Sequence, residues 1–297
     1  MKLSFKFKSQ INSKQLEIIE ELSYHTTKLY NIINYELRKN GFKNYYEIEE
    51  MYKNNWHCDF LHSHTRQQMF KVLEQNWKSY FTSIKDFGIN PTKYRGCPRP
   101  PKFKNIERNK NEIIFTNLAI RFQDGVLKLS LSKTIQKLFK VESLNFEVSN
   151  KLQGLINWDR IQQARFNYDK VQKCWYLIII YNKDEVENTL TNVMSIDIGL
   201  DNLATITFKD GLNQYIFCGK ELKSVNSYVN KRIAYLQAIE MKKVGSDKFK
   251  NTKEINRLRK YRNNYINDYL HKVSKNIIDV NVNIFLYKKW KIIMYNN

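Results

Sequence analysis

Residues 192–207 read Asn192-Val193-Met194-Ser195-Ile196-Asp197-Ile198-Gly199-Leu200-Asp201-Asn202-Leu203-Ala204-Thr205-Ile206-Thr207. The alternation over Asn192–Ile198 predicts a strand, and a second strand resumes after the turn. Gly199 permits the tight turn that leaves Asp197 at the strand end. Two long helices are predicted downstream, over 223–243 and 252–280. The second carries Ile255, Leu258, Arg262, Tyr265, Tyr269, Val273 and Ile277 on one stripe. Its other face is basic, with Lys253, Arg257, Arg259, Lys260, Lys272 and Lys275. Such a face suits nucleic-acid contact or plain solvation, and the stripe position of Arg262 also suits a pairing with an acid.

Upstream, the period is two. Strands are predicted at 112–117, 119–123, 126–131, 144–148, 163–168 and 175–181, with Asp124-Gly125 as a hairpin turn. The opening stretch Lys2–Lys8 also alternates, with Leu3, Phe5 and Phe7 on one side, and lacks a neighbouring strand in sequence. Its pairing with the later strands would close a barrel around a helical insertion. That insertion begins at Asn12-Ser13 with Leu16, Ile19, Leu22, Leu29, Ile33 and Leu37 at helical spacing, and Gly41 as a stop. Further helices are predicted at 45–54 and 63–84, where Met69, Trp77, Tyr80 and Ile84 form an aromatic-rich stripe read as core packing.

Between helices and strands lies Lys93-Tyr94-Arg95-Gly96-Cys97-Pro98-Arg99-Pro100-Pro101-Lys102-Phe103-Lys104. With Pro91 it accounts for all four prolines of the chain. Proline fixes φ and removes a donor, so the segment is an ordered, extended loop. Its five cations and its interleaved Tyr94 and Phe103 suit a sugar-phosphate backbone; a solvated linker is the alternative.

The 297 residues hold 50 Lys and Arg against 29 Asp and Glu, a net charge of +21. A field of that sign attracts polyanions, although AT-rich coding also inflates Lys, and a membrane surface is a further possible partner. Hydrophobic residues at 42% exclude a disordered tail. No apolar run approaches the ~20 residues of a spanning helix, so no membrane span is predicted. Met1–Lys8 lacks the apolar core of a secretion signal, which predicts a cytoplasmic setting. Cys58, Cys97, Cys174 and Cys218 form no Cys-x-x-Cys pair, and neither a disulfide framework nor a zinc ribbon is supported.

The order strand, Asp, glycine turn, strand is the opening hairpin of a ribonuclease-H-like sheet. Three segments in order resemble one family. Residues 95–104 resemble its basic Pro-rich loop, 195–205 its first RuvC motif, and Leu258–Arg262 through Leu270–Ser274 the helix that follows. The family is TnpB, the RNA-guided nucleases of bacterial insertion sequences. The resemblance covers roughly residues 1–280. It implies an α+β multidomain fold: a wedge β-barrel over 1–12 and 105–187, a helical recognition lobe over 13–104, and a RuvC-like α/β domain over 188–297. It also implies guide RNA and target DNA as partners, and three acids holding two divalent metals, usually magnesium, with a four-cysteine zinc ribbon.

Only the first acid is matched, by Asp197. Past Val282 the chain reads on to Asn297 without Asp or Glu, so the RuvC domain is expected to be incomplete, without its second and third motifs. Asp201 is the one extra acid near the turn. The sequence therefore predicts a truncated, nuclease-inactive nucleic-acid-binding protein with no cofactor of its own and no zinc. Arg95, Arg99, Lys102, Lys104, Arg257, Arg259 and Arg262 are its expected nucleic-acid contacts. A guide-dependent DNA-binding repressor and a decayed transposon remnant are the alternatives.

Overall fold

The computed structural model describes residues 1–7, 11–107, 110–170, 172–184, 194–209, 214–245 and 251–279. The chain divides into two compact units, Met1–Glu185 and Val186–Asn297.

The first unit opens with β1 (Lys2–Phe7) and four helices: α1 (Ser13–Asn40), α2 (Tyr45–Tyr52), α3 (Trp56–Asp59) and α4 (Ser63–Ile89). Asn12 and Gln15 cap α1 reciprocally, each side chain accepting from the other's backbone N–H at 2.8 Å. The buried stripe of α1 runs through Ile18, Ile19, Leu22, Leu29, Tyr30, Ile33 and Leu37, whereas Leu16 is exposed because the helix meets the core one turn later than its spacing predicts. Met69, Phe70, Leu73 and Trp77 of α4 are buried against the same core. Burying a side chain of that size is worth about 1.5–3 kcal/mol.

The strands follow as β2 (Ile113–Thr116), β3 (Ile120–Gln123), β4 (Val126–Ser130), helix α5 (Lys133–Phe139), β5 (Ser143–Glu147), the short α6 (Asn150–Gln153), β6 (Ile161–Asp169) and β7 (Cys174–Asn182). They make a four-stranded sheet in the order β1-β7-β6-β2 and a three-stranded sheet in the order β3-β4-β5. The N-terminal strand finds its partner far away: β1 pairs antiparallel with β7, from Lys2 opposite Asn182 to Phe7 opposite Leu177. Among the described residues these are two antiparallel sheets sharing one core with the helices, without a single hydrogen-bonded ring. Asp124 and Gly125, both at positive φ, turn the chain between β3 and β4 as their sequence predicts.

The second unit contains β8 (Met194–Asp197), β9 (Asn202–Phe208) and β10 (Gln214–Cys218), antiparallel in the order β10-β9-β8, then α7 (Lys220–Val244) and α8 (Lys253–Asp279). Met194, Ala204 and Ile206 of the sheet are buried with Val273 and Ile277 of α8. Val229 and Ile233 of α7 close on Ile255 of α8. The strand expected near Val282 lies outside the described residues. No helix among the described residues is long and apolar enough to cross a membrane.

Candidate nucleic-acid interface

The Pro-rich segment is extended, and side chains of α1 hold its backbone. Asn31 reads Lys104 from both sides: its amide donates to the Lys104 carbonyl at 2.9 Å, and its oxygen accepts the Lys104 N–H at 2.8 Å. Three residues on, Asn34 donates to the Pro101 carbonyl at 2.9 Å while its oxygen accepts from the Trp77 indole of α4 at 3.1 Å. Arg38 donates to the same carbonyl and lies over the Phe103 ring at 4.4 Å. Asn34 is fully buried, so losing either partner would leave a polar group in the core at a cost of about 1–3 kcal/mol.

At the other end of the loop, the half-buried Asp86 of α4 gathers the chain. Tyr94 donates to it at 2.8 Å and Lys93 approaches it at 3.4 Å. Hydrogen bonds from Asn90 and Tyr94 hold the Asp86 carboxyl below its usual range. Both loop aromatics thus have structural partners: Tyr94 meets Asp86 and packs edge-on against Phe87, and Phe103 lies under Arg38.

Between loop and helices lies an open groove of about 340 Å³. Tyr30, Asn76, Ser79, Tyr80 and Ser83 line its helical side; Pro98, Arg99, Pro101, Lys102 and Lys104 line its loop side. Arg95, Arg99 and Lys102 are exposed, and Lys104 is half-buried with its ammonium 5.5 Å from the Tyr30 ring. Three of the four loop cations expected to contact nucleic acid therefore share one groove. Its hydroxyl and amide lining, from α4, carries no signal in the sequence beyond polar residues on a helix.

In the second unit, Asp197 stands exposed at the end of β8, opposite Thr205. Close backbone approaches shape the turn. Gly199 donates to the Asn202 carbonyl at 3.0 Å, and a Cβ there would stand 2.9 Å from that oxygen. Gly219, after β10, donates to the Asp201 carbonyl at 2.7 Å; its Cβ would stand 2.5 Å from the Leu200 oxygen. The need for glycine at 219 is invisible in the sequence because it arises from a neighbour distant along the chain. Asp201, the nearest extra acid, is engaged by Lys223 at 2.6 Å, and that hydrogen bond holds its carboxyl low. Among the described residues no three His, Cys, Asp or Glu side chains gather into a possible metal site.

The basic residues of α8 are in different situations. Arg257 is exposed. Arg259 donates to Asn251 at 2.9 Å and Arg262 to Asn230 of α7 at 3.0 Å. Arg262 on the apolar stripe thus ties the two helices through an amide rather than an acid. Tyr269 donates to the Cys218 carbonyl at 2.6 Å, fixing α8 to the end of β10.

Residues 177–287 match the family OrfB_IS605, described as a probable transposase. Over those residues, most of them in the second unit, the chain is similar to that family. The match covers the turn bearing Asp197 and both helices of the second unit, and so includes two of the three segments on which the sequence resembles TnpB; the Pro-rich loop at 95–104 lies outside it. No curated protein matches. Among solved structures, the chain is similar to a protein of a "Cas12f1-sgRNA-target DNA complex" at 11% identity and TM-score 0.39, over 94% of this chain and 70% of that one. It is similar to one of a "CRISPR-Cas12f Ternary Complex" at 12% identity and TM-score 0.37, over 89% of this chain. It spans 60% of that protein's length.

Proposed function

We propose that this chain is a TnpB-family protein that binds nucleic acid, guide RNA and target DNA, and that these 297 residues do not cut it. The observation that carries the reading is the fastened basic loop. An unanchored cationic linker would lose much conformational entropy on meeting phosphates, whereas a loop already tied down through Lys104 and Pro101 loses little. Arg95, Arg99, Lys102 and Lys104 supply the charge in the first unit, and Arg257, Arg259 and Arg262 supply it on α8 in the second. Backbone charge holds the strand while base pairing with the guide supplies sequence. We read the two sheets of the first unit as the wedge and the β8–β10 sheet with α7 and α8 as the RuvC-like part.

The residues described do not fit the two-metal centre that the TnpB resemblance implies. Two divalent ions need several carboxylates around them, and Asp201, which could join Asp197, is committed to Lys223. Binding is therefore the activity assigned to these residues. Titration of labelled RNA tests it: the wild type should bind, and Arg99→Ala with Lys102→Ala should weaken binding for every sequence alike. An unchanged affinity would make the loop a linker. Magnesium-dependent cutting of guide-matched DNA that disappears in Asp197→Ala would overturn the assignment of inactivity.

A further inference from the structure

Helix α7 carries a surface that the loop and the basic face of α8 do not include. One side of α7 buries Val229 and Ile233 against Ile255. The side turned away carries Ser224, Tyr228, Lys231, Tyr235 and Lys242, all exposed. Tyr228 is 63% and Tyr235 57% exposed. Residues at spacings of three, four and seven fall on one stripe of a helix, so these five form a row with aromatic and cationic side chains alternating. Two tyrosines, large and half apolar, standing this far into water on a long helix call for a partner.

We infer that this stripe is a stacking platform for single-stranded nucleic acid. Tyr228 and Tyr235 are two turns apart, roughly 10 Å at a rise of about 1.5 Å per residue, a separation that a short unpaired stretch spans with a base on each ring. Lys231 lies between them and Lys242 beyond them, where the phosphates of that stretch would pass. The charge is complementary. Both acids of α7 are engaged elsewhere: Glu221 accepts from Tyr265 of α8, and Glu240 pairs with Lys243 at 3.2 Å. Arg232, at the border of the stripe, holds Glu254 at 3.6 Å and lies over the Tyr235 ring with its guanidinium 5.4 Å from the centroid, which backs one face of that ring. A duplex hides its base faces and offers a ring nothing to stack on, so the platform selects unpaired strands. Paired nucleic acid would be held only through its phosphates.

The inference rests on the proposal that the chain binds nucleic acid, and the experiment separates the two. Affinity is measured by fluorescence anisotropy for short oligo-U, oligo-dT and a duplex, using the full chain. Variants are Tyr228→Ala with Tyr235→Ala, Tyr228→Phe with Tyr235→Phe, and Lys231→Ala with Lys242→Ala. The double alanine should lose about tenfold or more on single strands and little on duplex, with its salt slope unchanged. The double phenylalanine keeps both rings and should bind like the wild type. The double lysine variant should lower the salt slope by about 0.7 for each contact on single strands. The oligo-U and oligo-dT arms tell whether RNA or DNA occupies the site. If the double alanine, folded by circular dichroism, binds single strands like the wild type, or loses duplex equally, the platform is overturned. If the Arg99→Ala/Lys102→Ala loop variant weakens binding while the tyrosine variants do not, only this inference fails. If the wild type binds nothing, the functional proposal fails with it.

Discussion

The Pro-rich loop and the Asp197 turn are both extended, exposed segments marked out by their sequence, and the structure treats them oppositely. The loop is held by side chains from elsewhere: Asn31, Asn34 and Arg38 of α1 grip its backbone and leave Arg99, Lys102 and Lys104 at a groove. The turn is held by its own backbone, through Gly199 and Gly219, and its second acid is tied to a lysine. A charged segment fastened through its backbone keeps its side chains for a partner. A segment that spends its side chains on local pairing keeps its shape and gives up ligands.

That contrast can be broken at its fastenings. Asn34→Ala should have the largest effect, about 3 kcal/mol of stability, because it leaves both the Trp77 indole and the Pro101 carbonyl without their partner. Chemical denaturation followed by Trp fluorescence checks it. In the second unit Gly219→Ala should cost about 2 kcal/mol, since the added methyl meets a backbone oxygen that cannot swing away. Gly199→Ala, with more room, should cost less, and the order of the two by denaturation tests the shape of the turn. A Gly199→Ala variant weaker than Gly219→Ala would mean that the turn is built otherwise.

Acid sharpens the difference between the units. His25 and His57 of the first unit are buried, with their Nδ1 atoms 2.8 Å apart. Burial and the neighbouring His25 push His57 down to about 4. The unfolded chain takes up a proton near pH 6.5 that the folded unit refuses until about pH 4, so stability should fall as pH drops through that window. His57→Gln should flatten the fall in a denaturation series across pH. The Asp201–Lys223 pair runs differently. Its carboxyl is held low, so its stabilisation is present above the ordinary carboxylate value and fades only as pH falls below it. Lys223→Ala should show the smallest change, a small loss of stability present above that value and vanishing in acid, because the pair is exposed.

Much of the scaffold was legible from spacing and turn chemistry. The alternation of Leu3 and Phe5, the Asn12 cap and the Asp124-Gly125 hairpin all act locally, and the structure shows each in place. What escaped depends on neighbours distant in sequence or on elements too short for a period. Helix α5 has seven residues and buries only Ile135, so it offers no stripe to read. Strand β10 has no buried residue and hence no alternation. In the candidate site the cations of residues 95–104 were legible as charge, but Asn31 and Asn34 were not. A polar residue on a helix reads as a solvated face until the loop that covers it is known. Arg262 stands out in the sequence by its place on an apolar stripe, whereas its partner Asn230 is defined only by the packed helix pair.

The central claim is that a fastened loop presents its cations to a phosphate backbone, and the salt dependence of RNA affinity tests it most directly. The slope of log affinity against log salt is measured for the wild type, for Arg99→Ala with Lys102→Ala, and for Asn31→Ala, which keeps every cation and removes one fastening. The account predicts that the double variant lowers the slope by about 0.7–0.9 for each lost contact. It predicts that Asn31→Ala weakens binding while the slope holds. A double variant with the wild-type slope would contradict the account.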